Sequence, residues 1–219
     1  MPTRLDETVL KQLFSEARTH RAWQPRDVPD DVLKQLVDLM KMAPTANNSL
    51  PARIVFVKSK AAKERLKPHL SAGNVDKTMA APVTAIISHD LKFHAHPPKG
   101  QDALNALAEK PEQAQIMAFR NGSLQGGYFI IAARALGLDC GPMSGFNNAD
   151  IDTEFFAGTD FKSNFLCNLG FGDPAHPHLS KRWVSTVLAW CSFGAALTGL
   201  PIDFQIQQQT RANEQHKGP

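Results

Sequence analysis

Cysteine is scarce in this chain: Cys140, Cys167 and Cys191 are the three in 219 residues, and no two lie close in sequence. An odd count without a Cys-x-x-Cys pair indicates neither a disulfide framework nor a structural zinc site. No Gly-x-Gly-x-x-Gly follows an apolar strand, which argues against a Rossmann dinucleotide site. No Gly-x-Ser-x-Gly elbow or other serine-hydrolase arrangement is present either. Charge of one sign is also lacking, since 24 Lys and Arg stand against 21 Asp and Glu, a formal +3 scattered along the chain. That excludes a nucleic-acid stripe and leaves an anionic small molecule compatible. Met1 to Leu13 carries charges throughout and does not read as a secretory signal, so a cytoplasmic location is expected. The longest uncharged run, Trp183 to Leu200, spans eighteen residues but is diluted by Ser185, Thr186, Ser192, Gly194, Thr198 and Gly199. A packed or partner-contacting segment is expected there rather than a membrane span.

What remains is an ordinary soluble balance, 42% hydrophobic and 21% charged, in a length that suits one domain with a real core. Leu10, Leu13, Phe14 and Ala17 recur at helical spacing and predict an amphipathic helix over about 6–18. Pro29-Asp30-Asp31 starts a second helix, with Val32, Leu33, Leu36, Leu39 and Met40 on its apolar face up to Pro44. Arg53 to Val57 and Pro82 to Ser88 are short β-branched runs that predict buried strands. Between and after them, Ala61 to Leu70 reads as helix and His89 to about Gly100 as loop. The longest helix is predicted from Pro111 to Leu138. Its apolar face is drawn through Leu124, Tyr128, Ile131, Ala135 and Leu138, it is largely buried, and a glycine cap lies near Gly137. Asn164 to Gly170 supplies a further strand. Helices and strands alternate without a regular βαβ repeat, which favours an α+β layered fold. The sequence divides into a main domain over 1–180 and an atypical tail over 181–219, whose glutamine-rich end from Gln205 is expected to be partly disordered.

Three segments could carry chemistry. Ala43 to Arg53 joins a helix to a strand and packs hydroxyl and carboxamide side chains between two prolines. It offers the donors and acceptors that the edge of a heteroaromatic ring needs, although a polar connecting turn has the same composition. Arg18-Thr19-His20-Arg21-Ala22-Trp23 places two guanidinium groups around a hydroxyl, which suits a phosphate, and equally suits a solvated helix end. Gly137 to Phe146 is dense in glycine, so its backbone can approach a flat ligand closely. It also reads as a tight turn before a strand.

Together these segments resemble the FMN-dependent nitroreductase family. Arg18, Thr19, Arg21 and Trp23 match the family's Arg-Ser-x-Arg-x-Phe. Pro44, Thr45, Ala46, Asn48 and Pro51 match its Pro-Ser-Ser-x-Asn-x-Gln-Pro. Gly137-Leu138 and Pro142 to Phe146 match its Gly-Leu-Gly segment, and order and spacing agree over roughly residues 5–175. Within the family, Ala17-Arg18-Thr19-His20, Ser49 to Phe56, Ala80 to Ala85, Phe119-Arg120-Asn121 and Gly141 to Phe146 are similar to the malonic semialdehyde reductases of pyrimidine catabolism.

The resemblance implies a nitroreductase-like α+β fold, with a central mixed or antiparallel sheet flanked by helices, and a homodimer with FMN at the interface. By position, Arg18, Thr19 and Arg21 would hold the ribityl-phosphate, and Thr45, Ala46 and Asn48 would lie along the flavin ring. Pro142, Met143, Ser144 and Gly145, from the partner fold, would cover the ring, and Lys181 and Arg182 would supply the basic pair that closes on the phosphate. NAD(P)H would be the co-substrate, the flavin would do the redox work without a catalytic side chain, and malonic semialdehyde would be reduced to 3-hydroxypropanoate. His20, Arg53 and Arg120 are candidate partners for the substrate carboxylate. The alternatives are a nitroaromatic or quinone reductase of the same family, or a flavin-binding protein without turnover. Leu50 stands where the family often has Gln, and the chain from Trp183 onward departs from the family's ending. A metal enzyme built on His89, His94, His96, His176 and His178 is a weaker alternative, because His94-x-His96 lacks a third ligand at telling spacing.

Overall fold

Strand β2 (Val83–Asp90) is buried along its entire length because helices cover both of its faces. The computed structural model describes residues 3–95, 97 and 102–176. Among these, β2 pairs with β1 (Ala52–Val57) on one side and β4 (Phe161–Gly170) on the other, and β4 pairs with β3 (Asp139–Met143). The sheet order is β1-β2-β4-β3 and every ladder is antiparallel. Alternation along β2 sends Val83, Ala85 and Ile87 into one core and Ile86 into a second core on the opposite face.

The first core lies under α2 (Asp30–Met40) and α5 (Pro111–Ala135), through Leu33, Leu36, Met40, Phe129 and Ala133. The second takes Leu66 from α3 (Lys60–Leu66) and Ile151 and Phe156 from α6 (Asn148–Phe156). A short α1 (Glu7–Leu10) begins on the Asp6 cap and runs into a wider turn over Lys11–Ser15, and α4 (Ala72–Ala80) precedes β2. No helix among the described residues is long and apolar enough to cross a membrane.

Helix α5 differs from its prediction. Its sheet-facing side is Asn121, Gly122, Gln125, Gly126, Phe129, Ala132 and Ala133, whereas Leu124 is 54% and Tyr128 42% exposed. The reason is distance: a Cβ at Gly126 would stand 2.5 Å from the Phe165 ring, so α5 lies too close to the sheet for large side chains there. The face drawn through Leu124 and Tyr128 therefore points outward. The helix also ends earlier, at Ala135. Gly137 adopts φ +78° while the Leu138 and Gly137 amides return to the Ala133 and Arg134 carbonyls at 2.9 and 3.0 Å. This Schellman closure turns the chain directly into β3. The Gly137–Phe146 segment is thus a strand in its middle; Pro142 is tolerated because β3 is an edge of the sheet among the described residues. His89 and Asp90, expected in a loop, complete β2. The tail over 181–219 lies outside the described residues.

Candidate functional site

The first and third segments meet. Thr19 bridges to Cys140, and the His20 amide donates to the Cys140 carbonyl at 3.0 Å. The His20 Nε2 stands 3.2 Å from the Asp139 carboxylate, and its ring lies against Gly172, so this histidine ties the N-terminal segment to β3. Trp23 approaches Gly141 and donates its indole N–H to the Lys77 carbonyl at 3.1 Å. Gly145, beyond the end of β3, accepts from the Asn74 carboxamide at 2.7 Å and the Ser71 amide at 3.0 Å. Pro142, Met143, Ser144 and Gly145 therefore sit beside α4, with Ser144 exposed.

Lys77 on α4 belongs to this cluster, and no sequence motif announced it. Burial, and secondarily the guanidinium of Arg21, hold its ammonium below the usual lysine range. Lys77 thus lies within the field of Arg21, and Arg21 has no ion-pair partner among the described residues. Such a pair suits a dianionic ligand group. Arg18 directs its guanidinium to the Ser15 and Ala17 carbonyls at 3.1 and 3.0 Å, closing the first helical segment.

The second segment lies elsewhere. It enters β1 at Ala52, which pairs with His89 at the far end of β2, while Cys140 pairs with Leu169 at the near end of β4. The 44–51 loop and the Arg21–Lys77–β3 cluster thus occupy opposite edges of the sheet. Three strand spacings across and six residues along separate Ala52 from Cys140, about 25 Å. Within one chain the three segments do not form one site.

The loop itself is unusual in its backbone. Asn47, Asn48 and Leu50 have φ values of 52°, 49° and 43°. Ala46 donates to the Asn121 carboxamide oxygen at 2.8 Å, and Ala52 to that of Gln125 at 2.9 Å. The Asn47 and Asn48 side chains are exposed, and the buried Ser49 hydroxyl has no hydrogen-bond partner among the described residues. Arg53 is engaged: it donates to the Leu50 and Ala52 carbonyls and to the Asp90 carboxylate at 2.8 Å. Arg120 is exposed on the outer side of α5, a turn from Ile116 and from Leu124. Lys181 and Arg182 lie outside the described residues.

Other candidate chemistries find little support. Cys140 and Cys167 are buried in the first core, and the Cys167 thiol is pushed well up by its Cys140 neighbour and by burial, so it is a poor nucleophile. His89 is packed beneath α5 against Gly122 and Phe119, and burial lowers its pKa. Among the described residues no group of three or more His, Cys, Asp or Glu could hold a metal ion; His96 and His178 lie outside them.

The donor set fits FMN: two cations, Lys77 within the field of Arg21, for a phosphate on one surface, and on the other, for a ring edge, a loop of exposed carboxamides with a buried hydroxyl that lacks a partner among the described residues.

Comparison with known proteins gives the family and the fold. The profile of the nitroreductase family matches residues 15–172. A Burkholderia lata protein provisionally named NADH dehydrogenase/NAD(P)H nitroreductase is 57% identical over 176 residues, covering 79% of this chain and 90% of its own. A Stenotrophomonas maltophilia protein of the same provisional name is 58% identical over 174 residues, covering 78% and 89%. Among solved structures, a nitroreductase-like protein in complex with FMN from Exiguobacterium sibiricum superposes with a TM-score of 0.69 at 17% identity, covering 83% of this chain and 95% of that one. An enone reductase of gut-bacterial fatty acid saturation superposes at 0.70 with 17% identity, covering 82% and 95%.

Proposed function

The chain belongs to the nitroreductase family, and on that premise we propose that it is an FMN-dependent NAD(P)H oxidoreductase acting as a homodimer, with malonic semialdehyde as acceptor and 3-hydroxypropanoate as product. The observation that carries this reading is the separation of the two half-sites: the Arg21–Lys77–β3 cluster and the 44–51 loop stand at opposite edges of one sheet. Two copies related by a twofold axis bring one half-site from each protomer together, twice. The outward Leu124 and Tyr128 on α5, with Ile116 nearby, supply an apolar face for such a contact.

FMN, when bound, would supply a two-electron redox centre between NAD(P)H and the acceptor. The chain binds and orients it. Arg21 and Lys77, with Arg18 and Thr19 beside them, neutralise the phosphate. Thr45, Ala46 and Asn48 line the ring edge, and Pro142 to Gly145 cover a face and exclude water. No side chain acts as nucleophile. Of the three candidates for the substrate carboxylate, Arg120 is the best placed, because His20 and Arg53 already hold Asp139 and Asp90. The choice of aldehyde acid rests on the similarity of Ser49–Phe56, Phe119–Asn121 and Gly141–Phe146 to the malonic semialdehyde reductases.

A second reading, nitroaromatic or quinone reduction, is favoured by the names of the relatives. The test is anaerobic: the FMN-reconstituted protein is reduced with NAD(P)H and mixed with malonic semialdehyde or with a nitroaromatic. Faster reoxidation by the aldehyde supports the first reading, and faster reoxidation by the nitro compound supports the second. A flavin that binds but is not reduced leaves a binding protein without turnover.

A further inference from the structure

The 44–51 loop holds a conformation that its sequence would not adopt unaided. Asparagine at positions 47 and 48 tolerates positive φ, but leucine at position 50, with φ 43°, does not do so readily. Something must over-determine this backbone. Two amide side chains on α5 do. Asn121 and Gln125, one helical turn apart and both buried, accept from the amides of Ala46 at 2.8 Å and Ala52 at 2.9 Å, which bracket the strained run. Asn121 cannot rotate freely, because its Nδ2 donates to the Met117 carbonyl at 2.8 Å, and this contact fixes the oxygen towards the loop.

Asn121 closes the Phe119–Asn121 segment, but neither it nor Gln125 is among the residues proposed to line the flavin. Their position on α5 has a further consequence. Leu124 and Tyr128 point outward from the same two turns. One rigid helix therefore carries both the apolar face and the anchors of the loop.

We propose that Asn121 and Gln125 are positioning residues that clamp the two ends of the 44–51 loop and so set the geometry of the flavin edge formed by Thr45, Ala46 and Asn48. The proposal rests on the reading of that loop as the flavin edge. The clamp couples the edge to the helix rather than to the neighbouring strand alone, so its loss alters the loop while the sheet stays intact.

The experiment uses the full-length protein and the variants N121L and Q125M, which keep bulk and remove the acceptor. Amide hydrogen exchange of Ala46 and Ala52 reads the clamp directly, with and without FMN. FMN titration and the visible spectrum of the bound flavin read its consequence. Ala46 exchanges at least about tenfold faster in N121L and Ala52 likewise in Q125M. FMN binding weakens by roughly tenfold in each, and the flavin spectrum shifts. Q125E, which retains an acceptor oxygen for Ala52, recovers FMN affinity. N121S, too short to reach Ala46, replaces N121L if that variant does not fold. Unchanged exchange at these amides overturns the clamp. So does faster exchange combined with wild-type FMN affinity and spectrum, because the loop would then move without consequence for the flavin. A wild-type protein that binds no FMN instead overturns the flavin reading, and the exchange data still decide the clamp.

Discussion

The amide of Leu50 donates to the Thr45 hydroxyl at 3.1 Å, closing a small ring around two asparagines with positive φ. On its other side, the Leu50 carbonyl accepts from Arg53 at 3.1 Å. Leu50 is thus pinned at both backbone groups in a conformation that favours glycine. Leu50→Gly is expected to leave stability within about 1 kcal/mol of wild type, because relief of strain offsets the lost side-chain burial. Leu50→Val, with a branched Cβ in the same place, is expected to cost about 1–3 kcal/mol. Thermal unfolding of the two variants ranks them.

Lys63 is buried with no carboxylate partner among the described residues. Its ammonium donates to the Thr78 carbonyl and the Thr84 hydroxyl, and burial lowers its pKa from 10.5 to about 7. Between about pH 7 and 10.5 the unfolded chain binds more protons at this site than the folded one, so stability rises with pH across that window. Below it both states are protonated, and the contribution is flat and least favourable. Lys63→Met is expected to flatten the rise and to increase stability at neutral pH by about 1–3 kcal/mol. Denaturant unfolding at several pH values measures both effects.

Arg53 and Asp90 form a pair in which the carboxylate side chain is only 10% exposed. Arg53→Met leaves that carboxylate with the Lys92 amide at 2.8 Å as its remaining hydrogen-bond donor. A loss of about 1–3 kcal/mol follows, and Asp90→Asn is expected to cost less because no buried charge is stranded. Equilibrium unfolding distinguishes the two.

Leu124 and Tyr128 are exposed neighbours on α5. If they meet a second copy, Leu124→Glu combined with Tyr128→Glu shifts the protein to monomer in sedimentation and lowers its FMN affinity, while far-ultraviolet circular dichroism is unchanged. A variant that stays dimeric with undiminished FMN affinity contradicts the placement of the interface.

Much of this was legible in the sequence. Arg53–Val57 and Val83–Ser88 are apolar and β-branched, and they are strands because burial on one or both faces rewards that composition. The Thr19–Cys140 and Trp23–Lys77 contacts could not be read, since they are set by tertiary packing across long separations. Strand β3 was obscured by Gly141 and Pro142, residues that an edge position accepts. Helix α4 was missed because Ala72–Ala80 mixes small and polar residues with little periodicity, and Lys77 was missed with it. The α5 face was misassigned for a definite reason: close packing selects Gly126, Gln125 and Asn121 for the buried side, which reverses the usual equation of large apolar residues with the interior. The polar residues on that buried side turned out to be the anchors of the loop.

The most direct test of the central claim is an FMN titration of the purified full-length protein, followed by gel filtration and anaerobic addition of NAD(P)H. The account predicts a yellow dimer that retains about one flavin per protomer, loses its visible absorbance on reduction, and binds FMN at least tenfold more weakly when Arg21 and Lys77 are both replaced by Ala. A protein that emerges colourless after reconstitution, or whose flavin affinity is indifferent to Arg21 and Lys77, contradicts it.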